Sequence, residues 1–284
     1  MLSLINRNVR LYLRDRVGLF FSMLSPLIVL LLYAFFLSRS LVDSLPPLPG
    51  AKALMDIWMV AGLMSVTSVT STFGALSQLV DDRRRRILPD FAASPLSRLR
   101  LAAGYAGGAV CAGLIMTALC AAFAQAYLYL SDGLILGLGA WLFALGACAL
   151  SVVCSALAAL CCALFLRTSS SYGALQTILG TLIGFLMGMY MPMGALPAGV
   201  QAFIRFFPLS HGAVLLRRIL LTPRLGGWPQ VAKDLFNLEL GCLYRYGGYT
   251  MPAYGHALVL AGSSLALLAL ATVLLRRKGM GGHS

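Results

Sequence analysis

Apolar residues run through this chain in long blocks, and polar residues gather in the gaps between them. Six blocks, residues 17–37, 57–79, 101–130, 134–166, 172–191 and 254–275, approach or exceed the roughly 20 residues a helix needs to cross a bilayer. Main-chain N–H and C=O groups in lipid must be satisfied within the segment, so each block is predicted to be a spanning helix. The third and fourth blocks are longer than a straight crossing requires, and tilt or extension into the headgroups absorbs the excess.

Residues 1–16 carry a different pattern. Leu4, Val9, Leu11 and Leu13 alternate with Arg7, Arg10 and Arg14, and these arginines follow helical spacings of three and four. The pattern predicts an interfacial helix that precedes the first span; a simple charged cap on that span is the plainer alternative. The segment resembles the front of a signal peptide but lacks a convincing cleavage site, and it is read as retained.

Between the fifth and sixth blocks, residues 196–207 and 209–221 are apolar but too short to span. Pro192, Pro197, Pro208 and Pro223 punctuate them, and proline disfavours helix at the residue before it. Two short helices follow, either dipping into the outer leaflet as a re-entrant element or lying flat on the surface. Residue 229 onward to 247 predicts another short outer helix, with Val231, Leu235, Leu238 and Cys242 at helical spacing. The fold expected is therefore all-α: a polytopic membrane protein with six transmembrane helices, forming one transmembrane domain over residues 1–284.

Composition agrees with this class. Of 284 residues, 60% are hydrophobic and 11% charged, against about 25% charged in a typical soluble domain; mean hydropathy is +0.86. The net charge of +13 is distributed by side. Residues 1–16, 80–100, 167–171 and 276–284 hold fourteen basic residues, and the longer opposite connections 38–56, 131–133 and 192–253 hold eight. The positive-inside rule then places both termini and the 80–100 loop in the cytoplasm, on a cell membrane. Anionic lipids account for this charge, and no nucleic-acid partner is indicated.

The chain carries no G-x-x-x-x-G-K-[ST], H-E-x-x-H or G-x-S-x-G motif. His211, His256 and His283 lie far apart in sequence, and six of the seven cysteines fall within apolar blocks. No catalytic, cofactor or metal site is expected in this chain. The spans are nearly free of charge; Asp56 sits at the outer edge of the second, which also holds hydroxyls at Thr67, Ser68, Thr70, Ser71 and Thr72. Gln78 and Gln125 are polar but neutral, and nothing resembles a proton relay. Gly180, Gly184 and Gly188 stand four apart, as do Gly104 and Gly108; such spacing suits close helix packing, within the chain or at a dimer seam.

Residues 184–220, GFLMGMYMPMGALPAGVQAFIRFFPLSHGAVLLRRIL, carry a family likeness: Gly188 to Pro192, then Leu196–Pro197, then Phe207–Pro208–Leu209, then a basic apolar helix. The 80–100 loop adds Ser94–Pro95–Leu96, and the basic N-terminus resembles an elbow helix. In these features the chain resembles the ABC-2 type permeases, the membrane subunits of ATP-driven transporters. It departs from them at Asp81–Asp82 and Arg83–Arg86, where many relatives have a glutamate and a glycine-threonine pair.

The resemblance implies two paired six-span subunits, the second being another copy or a homologue, with a separate ABC ATPase that uses ATP and Mg2+. A coupling helix in the 80–100 loop would meet that ATPase, with Asp81, Asp82, Arg83, Arg84, Arg85, Arg86, Asp90, Ser94, Pro95 and Arg98 as its residues. The arginines would face the ATPase, anionic membrane lipids, or both. The second and fifth spans would lie near the seam, and the element punctuated by Pro192, Pro197 and Pro208 would shape the exit. The cargo implied is a small hydrophobic or amphipathic substrate moving outward. The alternatives are an ion-coupled secondary transporter and a non-transporting membrane scaffold.

Overall fold

The computed structural model describes residues 1–38, 42, 50–88, 97–166, 168–225 and 230–278. Helix α1 (Leu2–Arg14) is followed by α2 (Arg16–Leu32), whose first turn is capped by the Asp15 carboxylate accepting from the Gly18 N–H at 2.9 Å. A π-helical segment, Tyr33–Leu37, continues α2. Then come α3 (Ala51–Arg84), α4 (Arg98–Asp132), α5 (Leu138–Phe165) and α6 (Ser169–Leu186). Beyond a short turn lie α7 (Ala198–Phe206), α8 (Ser210–Leu221), α9 (Gln230–Glu239), a two-stranded hairpin β1 (Arg245–Tyr246) and β2 (Tyr249–Thr250), and α10 (Ala253–Lys278).

Among the described residues, four helices are long and apolar enough to cross a membrane: α3, α4, α5 and α10. The pair α7 and α8 bends by 90° and is either one broken span or a re-entrant loop. Among the described residues, the fold is thus an all-α polytopic membrane protein with four clear spans and one bent candidate, where the sequence predicts six spans. The expected first span is divided, with Pro26 inside α2 and the π segment after it. The expected fifth span, α6, is 18 residues long and opens on three serines, which lower its apolar character.

The second span is also longer than its apolar block. Helix α3 has 34 residues, about 50 Å at 1.5 Å per residue, against roughly 30 Å of bilayer hydrocarbon. It runs through Asp81, Asp82, Arg83 and Arg84, which the sequence assigns to a loop. It ends in a Schellman arrangement. The Ile87 N–H reaches the Asp82 carbonyl at 3.0 Å and the Arg86 N–H reaches the Arg83 carbonyl at 3.1 Å, with Arg86 at φ +58.

Helix α3 is the central strut, packing against α4, α5, α6 and α8, while α10 packs on α5 and α8. The two larger of three apolar clusters among the described residues divide the molecule lengthwise. One joins Leu4, Leu79, Leu88, Leu101, Leu164 and Leu274 at the arginine-rich end. The other joins Tyr33, Trp58, Leu128, Leu136, Leu220 and Phe236 at the distal end. Gln125 stitches the turn between α4 and α5 there: its Oε1 accepts from the Leu136 N–H at 3.1 Å and from Trp141 Nε1 at 2.9 Å.

Candidate functional site

At the arginine-rich end, α1 is seated in a notch of α4. Gly104, Gly107 and Gly108 leave room for Leu4, Ile5 and Asn8, and a methyl group at any of the three would collide with those side chains. The spacing read from the sequence as a packing signal therefore serves this N-terminal helix. Asn8 Nδ2 donates to the Gly104 carbonyl at 3.4 Å. Arg7 reaches across to the end of α3, Nη1 to Asp82 Oδ2 at 2.8 Å and Nη2 to Oδ1 at 3.3 Å. The Tyr105 hydroxyl donates to the same carboxylate at 2.5 Å. This forked contact holds the Arg7 guanidinium above its ordinary pKa, by hydrogen bonding first and charge second.

The arginine run is divided by direction. Asp82 is buried, Asp81 accepts from the Ser169 hydroxyl at 3.2 Å, and Arg83 Nη1 donates to the Leu166 carbonyl at 3.0 Å. Arg84, Arg85 and Arg86 are exposed, as are Arg98, Arg10 and Arg14. Asp90, Ser94 and Pro95 lie outside the described residues.

A cleft opens where α2 and α6 flank α3. Its larger chamber, about 390 Å³, lies toward the arginine-rich end and is lined by Tyr12, Asp15, Ser77, Gln78, Asp81 and Arg85 among others. A second chamber of about 120 Å³ shares Ser22 and Thr70 with it and is mostly apolar, with Pro26, Val29, Leu63, Val66 and Met189. A small third space, about 40 Å³, continues the line along Gly180 and Ile183. The larger chamber alone falls within the size of ordinary small-molecule sites.

The three glycines of α6 and its exit have different surroundings. Gly180 faces open space along the cleft, Gly184 lies under the Tyr190 ring, and Gly188 takes φ +61 at the turn beyond the helix. Pro192 precedes a short 3-10 turn, Pro197 precedes α7, and Pro208 lies at the bend between α7 and α8.

The distal end is tied by two buried polar groups. Asp56 accepts from Tyr33 at 2.9 Å, Lys52 at 3.1 Å and Ser131 at 2.9 Å, while Lys52 also meets Asp132 at 2.6 Å. Arg217, 2% exposed, donates to the Met187 carbonyl at 2.5 Å and the Gly188 carbonyl at 2.8 Å and stands 5.1 Å over the Trp58 ring. The carbonyls at the end of α6 carry the negative pole of that helix, which suits a guanidinium. Trp58 Nε1 in turn donates to the Leu240 carbonyl at 2.9 Å. Nearby, burial pushes the Cys242 thiol up to about 12, so it stays protonated and inert at neutral pH.

His211 and His256, distant in sequence, meet with their Nδ1 atoms 2.7 Å apart. His211 Nε2 lies 3.1 Å from the Arg205 carbonyl. A carbonyl only accepts, so in the neutral pair His211 is protonated on Nε2 and His256 donates from Nδ1. The pair latches α8 to α10. The sequence held no signal for it, because the two positions are 45 residues apart on separate elements. Nor did the sequence separate Arg217 from Arg218; the fold turns the first inward and leaves the second partly buried, bonded to the Met251 carbonyl at 3.0 Å. Among the described residues, no group of three or more His, Cys, Asp or Glu side chains could hold a metal ion.

A protein-family model described as ABC-2 family transporter protein matches residues 42–275. No curated protein matches the chain.

Proposed function

This chain belongs to the ABC-2 family of transporter proteins, and on that footing we propose that it is the permease subunit of an ATP-driven exporter. It carries no catalytic site of its own. A separate ABC ATPase, holding ATP and Mg2+, docks at the arginine-rich end, and a second copy or a homologue completes the pathway. In this reading the arginine-rich end is cytoplasmic with both termini, α2 and α6 are spans one and five, and α7 with α8 forms a re-entrant hairpin at the outer face.

The observation that carries the proposal is the continuity of α3. One unbroken helix presents exposed Arg84 at one end, hydroxyls of Thr67, Thr70 and Ser71 to the cleft at its middle, and Trp58 beneath Arg217 at the other end. A push on the arginine-rich end would therefore move the wall of the cleft and the lock of the outer turn together. Seam contacts would come from α6, where Gly180 is open and Ile178, Leu182 and Phe185 are exposed. A secondary transporter would need an ionisable group in the middle of its spans; Asp56 instead sits at the distal end, held by Lys52, Tyr33 and Ser131, and Asp15 and Asp81 lie at the arginine-rich end.

The test is purification from native membranes in mild detergent, followed by assay of ATP hydrolysis. A stoichiometric P-loop ATPase that co-purifies and hydrolyses ATP is the expected result. Clean recovery without one, in several detergents and in nanodiscs, overturns the proposal.

A further inference from the structure

The cleft has a chemical polarity of its own. Ser22 donates its hydroxyl proton to the Leu19 carbonyl at 2.9 Å, Ser77 to Gly74 at 2.7 Å, Ser71 to Thr67 at 2.6 Å and Thr70 to Val66 at 3.1 Å. A hydroxyl has one proton and two lone pairs, so each of these groups offers the cleft acceptors only. Gln176 spends one of its two amide N–H groups on the Phe73 carbonyl at 2.9 Å, which leaves it, like Gln78, with both an acceptor and a donor toward the cleft. Asp15 and Asp81 line the larger chamber and, when ionised, are acceptor-only as well. Among the described residues of the lining, the exposed Arg85 is the one cationic side chain. The lining therefore sets two carboxylates against one guanidinium and offers more acceptors than donors. At Ser22 and Thr70, which line both spaces, it adjoins the mostly apolar chamber of Pro26, Val29, Leu63 and Met189.

We infer that this cleft is a binding site for an amphiphile with a primary-amine or similar N–H-bearing cationic head and an apolar tail. The head sits between Asp15 and Asp81 at the level of the inner-leaflet headgroups. There its N–H groups satisfy the carboxylates and the hydroxyl lone pairs. The tail enters the smaller chamber between α2 and α3, where it displaces lipid or water from apolar walls. The placement in the inner leaflet rests on the exporter reading above; the polarity of the site does not.

Two fluorescent probes with the same diphenylhexatriene tail, one bearing a primary amine and one a carboxylate, test this directly. Saturable binding to the permease in phosphatidylcholine nanodiscs is read by energy transfer from tryptophan, with empty nanodiscs as background. The amine probe is expected to bind about tenfold more tightly than the carboxylate probe. The Asp15→Asn, Asp81→Asn double variant is expected to lose that preference. Asparagine still caps α2 and still accepts from Ser169, so the charge is removed with the local geometry kept. A carboxylate probe that binds as tightly as the amine to the unaltered protein overturns the inference, whatever the variant does. So does an amine affinity unchanged in a folded double variant. Selective amine binding by a protein that never co-purifies with an ATPase would uphold the site and remove the exporter reading.

Discussion

Asp82 concentrates the connection between the N-terminal helix and the membrane core. It is buried, yet Arg7 and Tyr105 between them satisfy both carboxylate oxygens. Removing one partner of such a pair leaves the other charge stranded, which costs more than the pair contributes. Asp82→Asn should therefore destabilise the protein by about 2–3 kcal/mol, less than for a fully buried pair because Arg7 keeps some solvent. Adding Arg7→Gln should recover part of that loss, so the two substitutions together cost less than their sum. Thermal unfolding in nanodiscs reads both, and strict additivity would mean that the ion pair carries no coupling. The sequence could not expose this partnership: 75 residues separate the two side chains, and Asp82 stands in a charge run that reads as solvated loop. The exposed Arg84, Arg85 and Arg86 fit that reading, whereas Asp82 and Arg83 are turned inward by α3 continuing past its apolar block.

Among the elements, the notch in α4 shows why glycine matters by location. A Cβ at Gly108 would lie 2.7 Å from the Asn8 Cβ, while a Cβ at Gly146 in α5 would meet nothing. Gly108→Ala should push α1 off its seat, cost about 1–3 kcal/mol and open residues 1–16 to protease. Gly146→Ala should be neutral or stabilise by up to about 1 kcal/mol. Equal protease resistance in the two variants would show that α1 does not depend on the notch. The short elements between α6 and α10 were legible because proline marks their boundaries: apolar runs 196–207 and 209–221 became α7 and α8. The outer helix predicted over residues 229–247 stops at Glu239, and Gly241 at φ +65 turns the chain toward the hairpin. The number of spans was less sharply marked than these boundaries. Hydrophobic blocks 17–37 and 172–191 do form helices, but Pro26 and the serine-rich start of α6 limit their length and apolar character.

For the whole molecule, the apolar blocks fixed the all-α membrane class and the arginines marked one end. The cleft and the distal lock depended on tertiary pairing that no local pattern encodes. The Thr67–Thr72 hydroxyl stripe was visible in sequence, but its polarity as an acceptor surface needed the hydrogen bonds. Division of the arginine run also sharpens one functional expectation. Replacing Arg84, Arg85 and Arg86 by serine should lower ATP hydrolysis by the assembled complex at least several-fold with little change in unfolding temperature. Arg83→Ser should instead lower stability, by about 0.5–1.5 kcal/mol, because the half-buried Leu166 carbonyl loses its donor. Unchanged hydrolysis in the triple variant, at equal ATPase binding, would assign those arginines to lipid alone.

The central claim is that α3 transmits the nucleotide state of the partner to the cleft. It is tested most directly by a cysteine at Thr70, whose side chain lines all three spaces of the cleft. The rate at which a hydrophilic maleimide labels Thr70→Cys would be measured in inside-out vesicles holding the ATPase complex, with the parent protein's native cysteines as background. The account predicts that trapping ATP in the partner changes this rate several-fold and that releasing the nucleotide restores it. An unchanged rate in a complex that still hydrolyses ATP would contradict it.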